Sequence, residues 1–264
     1  MAPDLRRPIL GVLAAIAITT AMDAGGLSAF SALPLFPLLG LFWYLERLMR
    51  TSVGFVWGRW SHYGLAVLYP VVVLGLTVLI TVVAGADRFG SANWEKALIN
   101  LALVGVSTIL VAIVTEEGFF RGWLWASLER AGQRPRRVLV WSSIAFSLWH
   151  LSAVALKTGF DLPARQIPVY LVNVAVIGAI WGMLRSISGS VIVASVSHGV
   201  WNAGAYVLFG FGTRVGALGV QETAVYGPEV GALGLLLNLL FAAALWWWWK
   251  ARGNGAARPL AGRN

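Results

Sequence analysis

Residues 97–128 read ALINLALVGVSTILVAIVTEEGFFRGWLWASL, and this stretch decides the fold. No residue from Ala97 to Val114 is charged; Thr115 follows, then Glu116, Glu117 and Arg121, then more apolar residues as far as Leu128. A bilayer crossing needs about 20 mostly apolar residues, so the stretch is more than long enough. Ionisable side chains inside hydrocarbon are costly and mark a functional site by default. The stretch therefore predicts a membrane helix that carries a polar site within its length.

The rest of the chain agrees with a membrane protein. Of its 264 residues 58% are hydrophobic and 12% charged, and fourteen are Trp. A soluble domain carries about twice that charged fraction. Apolar runs recur at 9–27, 31–46, 64–86, 97–128, 138–157, 167–186, 190–210 and 230–249, the second broken by Pro34 and Pro37. They predict an all-α, polytopic membrane helix bundle of about eight transmembrane helices, forming a single membrane domain over residues 1–264. The Gly/Ala/Arg-rich tail at 253–264 is expected to be disordered. The runs are too long and too uniformly apolar for a β-barrel. The first run follows Arg6 and Arg7, contains Asp23 and lacks a small-x-small cleavage pattern, so it reads as a retained span. There is no cysteine, which removes disulfides, thiolate metal sites and a cysteine nucleophile.

A net charge of +9 suggests nucleic acid, but its distribution points to the bilayer. With eight crossings and both termini cytoplasmic, the cytoplasmic segments hold Arg6, Arg7, Arg47, Arg50, Arg59, Arg130, Arg134, Arg136, Arg137, Arg185, Lys250, Arg252, Arg258 and Arg263. The other side holds Arg88, Lys96, Lys157, Arg165 and Arg214. Fourteen against five satisfies the positive-inside rule. The expected partner is lipid, in a multi-pass protein of the cell membrane, and nucleic acid is not expected.

Three polar clusters fall on three spans. In the first, Glu117 and Arg121 stand four apart on one helix face and form an ion-pair candidate. Glu116 is rotated from Glu117 by about 100°, which leaves it free for general acid–base work. The second is Phe146-Ser-Leu-Trp-His150, in mid-span. The third is His198-Gly-Val-Trp-Asn202, whose polar groups share a face near Gly199 and Gly204, where helices can approach closely. At about 1.5 Å per residue, Glu116 lies roughly 20 Å, His150 roughly 18 Å and His198 roughly 12 Å from the cytoplasmic helix ends. The three clusters are therefore expected to share one intramembrane pocket, nearer the cytoplasmic half.

A carboxylate, two imidazoles and a carboxamide at one depth suit a hydrolase. Glu116, with His150, can deprotonate a water, and His198 and Asn202 can donate hydrogen bonds to an oxyanion. Glu116, His150 and His198 can equally hold a divalent metal such as zinc that activates water. The absence of a His-Glu-x-x-His pattern speaks against a zincin-like intramembrane protease. Ser188-Gly189 sits at a helix start without the glycine context of a serine protease.

Glu116-Glu117-x-x-x-Arg121, Phe146-x-x-x-His150 and His198-x-x-x-Asn202, in this order on helices of alternating direction, resemble the three motifs of the CPBP family. That family includes CAAX prenyl endopeptidases and bacteriocin-processing or immunity-associated proteins, and the resemblance covers a catalytic core over 97–210. It implies an eight-helix intramembrane endopeptidase with a cytoplasm-facing cavity, cutting a peptide bond near the cytoplasmic face of a peptide or protein substrate, prenylated or not. It assigns Glu116 and His150 to water activation and His198 and Asn202 to the oxyanion, with Glu117, Arg121 and Phe146 supporting them. Both a metal-dependent and a metal-free glutamate mechanism are associated with the family. Two other classes fit the same residues. A proton-coupled transporter would place polar groups at several depths, whereas here they share one depth apart from Asp23. A non-catalytic scaffold or immunity protein would not need every motif position intact.

Overall fold

The computed structural model describes residues 4–88, 92–156 and 158–251. The expected disordered tail at 253–264 lies outside the described residues, as do Lys157 and Arg252. The apolar runs become α1 (Arg6–Ala24), α2 (Leu35–Glu46), α3 (Arg50–Val53), α4 (Trp60–Val83) and α5 (Trp94–Val114). A π-helix, Glu117–Leu124, leads into α6 (Trp125–Arg130). Next come α7 (Pro135–Trp149), α8 (Leu151–Ala155), α9 (Ile167–Ser188) and α10 (Val191–Gly204), which ends in a second π-turn at Ala205–Phe209. A hairpin of β1 (Gly210–Phe211) and β2 (Arg214–Val215), then α11 (Thr223–Tyr226) and α12 (Ala232–Ala251), complete the chain.

Among the described residues seven helical segments are long and apolar enough to cross a membrane, each matching one of the expected runs. The exception is the second run. With twelve residues, α2 rises only about 18 Å against a hydrocarbon core of about 30 Å. Pro34 and Pro37 explain the late start, because proline is tolerated in the first turn and not within a helix. Ahead of α2 the chain winds in tighter i→i+3 turns, with Ser31 N–H donating to Ser28 O and Leu33 N–H to Phe30 O. Such turns advance about 2 Å per residue. Ser28 Oγ donates to Thr158 O at one end of the bundle, while the Glu46 carboxylate accepts from Trp123 Nε1 and Ser127 Oγ near the other. The segment from Ser28 to Glu46 thus runs the length of the bundle, although only its second part is α-helix.

The connections sort into two ends. At the arginine-rich end Arg185 Nη2 donates to Ser52 O, Trp249 Nε1 donates to Ser186 Oγ, and Arg136 lies 5.7 Å over the Trp246 ring. The first turn of α1 and the last of α12 are both there, since Leu5 and Pro8 share a groove with Leu128. At the opposite end Arg88 N–H donates to Leu218 O and Gln166 Nε2 to Thr223 Oγ1.

Packing is inside-out relative to a soluble bundle. Outward positions of α5 are apolar, Leu103 and Leu110 each being 63% exposed. The interior carries a polar chain: Tyr69 O–H donates to Asn238 Oδ1 at 2.7 Å, and Asn238 Nδ2 donates to Asn173 Oδ1 at 3.0 Å. Asn173 Nδ2 in turn donates to Pro228 O and Glu229 O, and Trp201 Nε1 donates to Glu229 Oε1. Without a hydrophobic force between helices in lipid, such bonds and close contact hold α4, α9, α10 and α12 together. Close contact is greatest where α10 meets α5, followed by α7 against α9. A Cβ on Gly199 would stand 2.3 Å from Ile109 Cγ1 and 2.6 Å from Gly105 O, and one on Gly204 would stand 2.5 Å from Leu74.

Two outcomes follow from this packing. Gly199→Leu is expected to push α10 from α5 and cost about 1–3 kcal/mol, read as a lower unfolding midpoint in detergent. Glu229, in the loop before α12, is buried, and burial pushes its carboxyl up to about 7, partly offset by the Trp201 hydrogen bond. A carboxyl raised in the folded state contributes stability below its usual 4.5 that is lost as pH rises through about 7. Unfolding midpoints are expected to fall across that window, and Glu229→Gln is expected to flatten the fall.

Candidate active site

The site begins where α5 ends. Thr115 leaves helical geometry, with φ −107° and ψ −101°, and the chain resumes as the wider-wound π-helix. Such segments concentrate at functional sites. Glycine permits this one: a Cβ on Gly118 would lie 2.5 Å from Ile113 O, and one on Gly122 would lie 3.2 Å from Val53 O. Every residue from Glu117 to Leu124 is buried.

Glu117 and Arg121 pair as their spacing predicts, with Nη1 3.3 Å from Oε1 and both side chains fully buried. The pair is larger than expected. Glu117 Oε1 also accepts from His198 Nδ1 at 3.1 Å, so one oxygen serves two donors. Arg121 Nη2 donates to Gly178 O at 3.1 Å, and its Cζ lies 4.0 Å over the Phe146 ring. The His198 ring stacks on Trp181 at 4.0 Å and 18°. Spacing did not point to Gly178 or Trp181 on α9. The available signal was chemical: a guanidinium buried in a span needs more acceptors than one carboxylate oxygen, and a helical glycine lets it reach a backbone carbonyl. A Cβ on Gly178 would stand 2.9 Å from Arg121 Nη2.

Glu116, 18% exposed at its side chain, faces the two imidazoles. Its Oε2 stands 3.9 Å from His150 Nε2 and 3.9 Å from His198 Nε2. His150 lies at the break between α7 and α8, and its Nδ1–H donates to Phe146 O at 2.8 Å. Phe146 therefore supports both Arg121 and His150. Because the acceptors are a carbonyl and a carboxylate, each ring's Nδ1 must carry hydrogen. Both Nε2 atoms then turn lone pairs toward Glu116 unless a ring takes up a second proton.

Glu116, His150 and His198 are thus brought together, as their depths predict. Asn202, half-buried one turn further along α10, is not: among the described residues no hydrogen bond joins it to the other three. Glu116 and His150 line a cavity of about 160 Å³ together with Tyr170, Tyr206, Phe160 and Phe211. His62, in the first turn of α4, is separate from the site.

A resident metal is tested by the donor set. Zinc bonds of 2.0–2.1 Å place tetrahedral ligands roughly 3.4 Å apart, and the two imidazole nitrogens stand farther than that from Glu116 Oε2. Among the described residues no three His, Asp or Glu side chains are arranged to hold a metal ion. The residues present do not fit a preformed zinc site.

Removing one member of a fully buried ion pair typically costs about 3–5 kcal/mol. Arg121→Met is expected to lower the unfolding midpoint in detergent by that order, and adding Glu117→Gln is expected to restore part of the loss.

No curated protein and no solved structure matches this sequence. Residues 98–204, the segment that carries every motif residue named above, match the family model described as Type II CAAX prenyl endopeptidase Rce1-like.

Proposed function

We propose that the chain is a membrane-embedded endopeptidase, a CAAX-protease-like hydrolase that cuts a peptide bond with water activated by Glu116. The observation that carries this reading is the triangle of acceptors: Glu116 Oε2 with an imidazole Nε2 3.9 Å away on either side. A water between them can give one hydrogen to Glu116 and the other to His150 while its oxygen lone pair stays free to attack. The family match supplies the reaction class.

The reaction then proceeds in two steps. Water oxygen bonds to the scissile carbonyl carbon as Glu116 takes its proton, and the carbonyl π pair moves onto oxygen. His198, held at Nδ1 by the Glu117 carboxylate, steadies that oxyanion from Nε2 when its ring carries both protons. Asn202 supplies a second donor by turning its carboxamide along the same face of α10. The tetrahedral intermediate collapses with cleavage of the C–N bond, and Glu116 returns its proton to the leaving amine. Arg121 holds Glu117 in place, so its contribution passes through His198. No step needs a metal.

Peptidase assays of purified protein on a peptide panel test the assignment. Glu116→Gln and His150→Ala are each expected to lower kcat/KM by about 10²–10⁴-fold with the fold retained. Cleavage that survives both substitutions overturns it. Chelator-stripped protein is expected to keep its activity; loss on stripping with recovery on adding zinc would replace the glutamate mechanism with a metal-dependent one.

A further inference from the structure

We propose that Thr19 and Asp23 of α1 are positioning residues for His150, gripping the chain on either side of it. This rests on the peptidase reading for what His150 does, whereas the grip itself stands on geometry.

His150 sits where its own helix gives out. α7 ends at Trp149, His150 has φ −78° and ψ −8°, and α8 runs for only five residues, Leu151–Ala155. Helices this short have little stability of their own, so tertiary contacts set their direction. Ahead of the break, Ser147 Oγ donates to Leu171 O at 2.7 Å and fixes α7 to α9. At the break and just beyond it the grip comes from α1, which packs on both α7 and α8.

Thr19 and Asp23 are four apart and share one face of α1. Trp149 Nε1 donates to Thr19 Oγ1 at 2.7 Å, and Ser152 Oγ donates to Asp23 Oδ2 at 2.7 Å. All four side chains are buried. The two bonds bracket His150, one residue before it and two after. The first acts on the imidazole directly, because the Trp149 and His150 rings meet edge to face with centroids 4.7 Å apart at 89°. Thr19 Oγ1 in turn donates to Ser31 O at 3.1 Å, which anchors the grip in the α1–α2 connection.

Stability does not account for Asp23. A carboxylate within an apolar span is costly. Among the described residues this one receives a single hydrogen bond, and its Oδ1 has no partner. An apolar side chain of similar size would hold α1 at less cost. What Asp23 adds is an acceptor at one point of α8, two residues from the imidazole that faces Glu116. The family match begins at residue 98, so it assigns no work to α1.

Steady-state kinetics and histidine spectra of purified protein test the grip. Asp23→Leu, Ser152→Ala and Thr19→Val are each expected to lower kcat by about 10–10²-fold, the scale of a catalytic group misplaced by an ångström, with KM little changed. Ser152→Ala deletes one oxygen and breaks the same bond as Asp23→Leu with the least change in packing. The two together are expected to cost no more than either alone. Asp23→Asn keeps an acceptor for Ser152 and is expected to restore most of kcat. A purely structural role predicts a lower unfolding midpoint for Asp23→Leu, whereas a midpoint at or above that of the wild type is expected. The chain has three histidines, so imidazole 15N signals can be assigned one by one. Those of His150 are expected to shift in Asp23→Leu and Ser152→Ala, and those of His62 to stay in place. Wild-type kcat in all three variants, a loss that Asp23→Asn does not rescue, or His150 signals that stay in place overturns the proposal. Shifted His150 signals in a chain whose wild type cleaves no peptide of the panel uphold the grip and overturn the peptidase reading instead.

Discussion

One carboxylate oxygen, Glu117 Oε1, holds the structure together at its centre. It receives Arg121 from its own helix and His198 from α10, while Arg121 reaches on to the backbone of α9 and lies over a ring of α7. Four helical segments are thereby fixed to one another around a charge that hydrocarbon would not tolerate alone. The polar chain through Tyr69, Asn238, Asn173 and Glu229 does the same for α4, α9 and α12. Specific bonds of this kind set the register of helices whose outer faces are equally at home in lipid.

The π-helix gives adjacent glutamates different work. Glu117 enters the buried ion pair while Glu116 stays partly exposed in the cavity, so one carboxylate is structural and its neighbour is available. Each imidazole has its Nδ1 hydrogen committed, His150 to a backbone carbonyl and His198 to Glu117. The two rings thus present the same atom, Nε2, to the same oxygen. Their likeness ends there, because His198 stands beside a carboxylate and His150 beside a neutral carbonyl. In the proposed mechanism that difference divides proton acceptance from oxyanion stabilisation.

Much of this was legible in the sequence because lipid imposes strong rules. Span positions followed from apolar run length, and the Glu117–Arg121 pair followed from a spacing of four. The meeting of Glu116, His150 and His198 followed from counting residues to helix ends. What was missed lay where backbone geometry departs from the α-helix. A run broken by Pro34 and Pro37 crosses by tight turns followed by a short helix, which periodicity does not separate from a full span. Trp181 and Gly178 sit on a helix whose only polar signals pointed elsewhere, and choosing between Gly178 and Gly182 needs the helix rotation. Residue counts give distance along a helix and say nothing about which end of the bundle is packed shut.

The packed aromatic layer of Phe119, Phe120, Trp123 and Trp125 also has a consequence for proton traffic. Aromatic carbon offers no relay, so in the proposed mechanism the proton that Glu116 takes from water either returns to the leaving amine or departs through the cavity that Glu116 and His150 line.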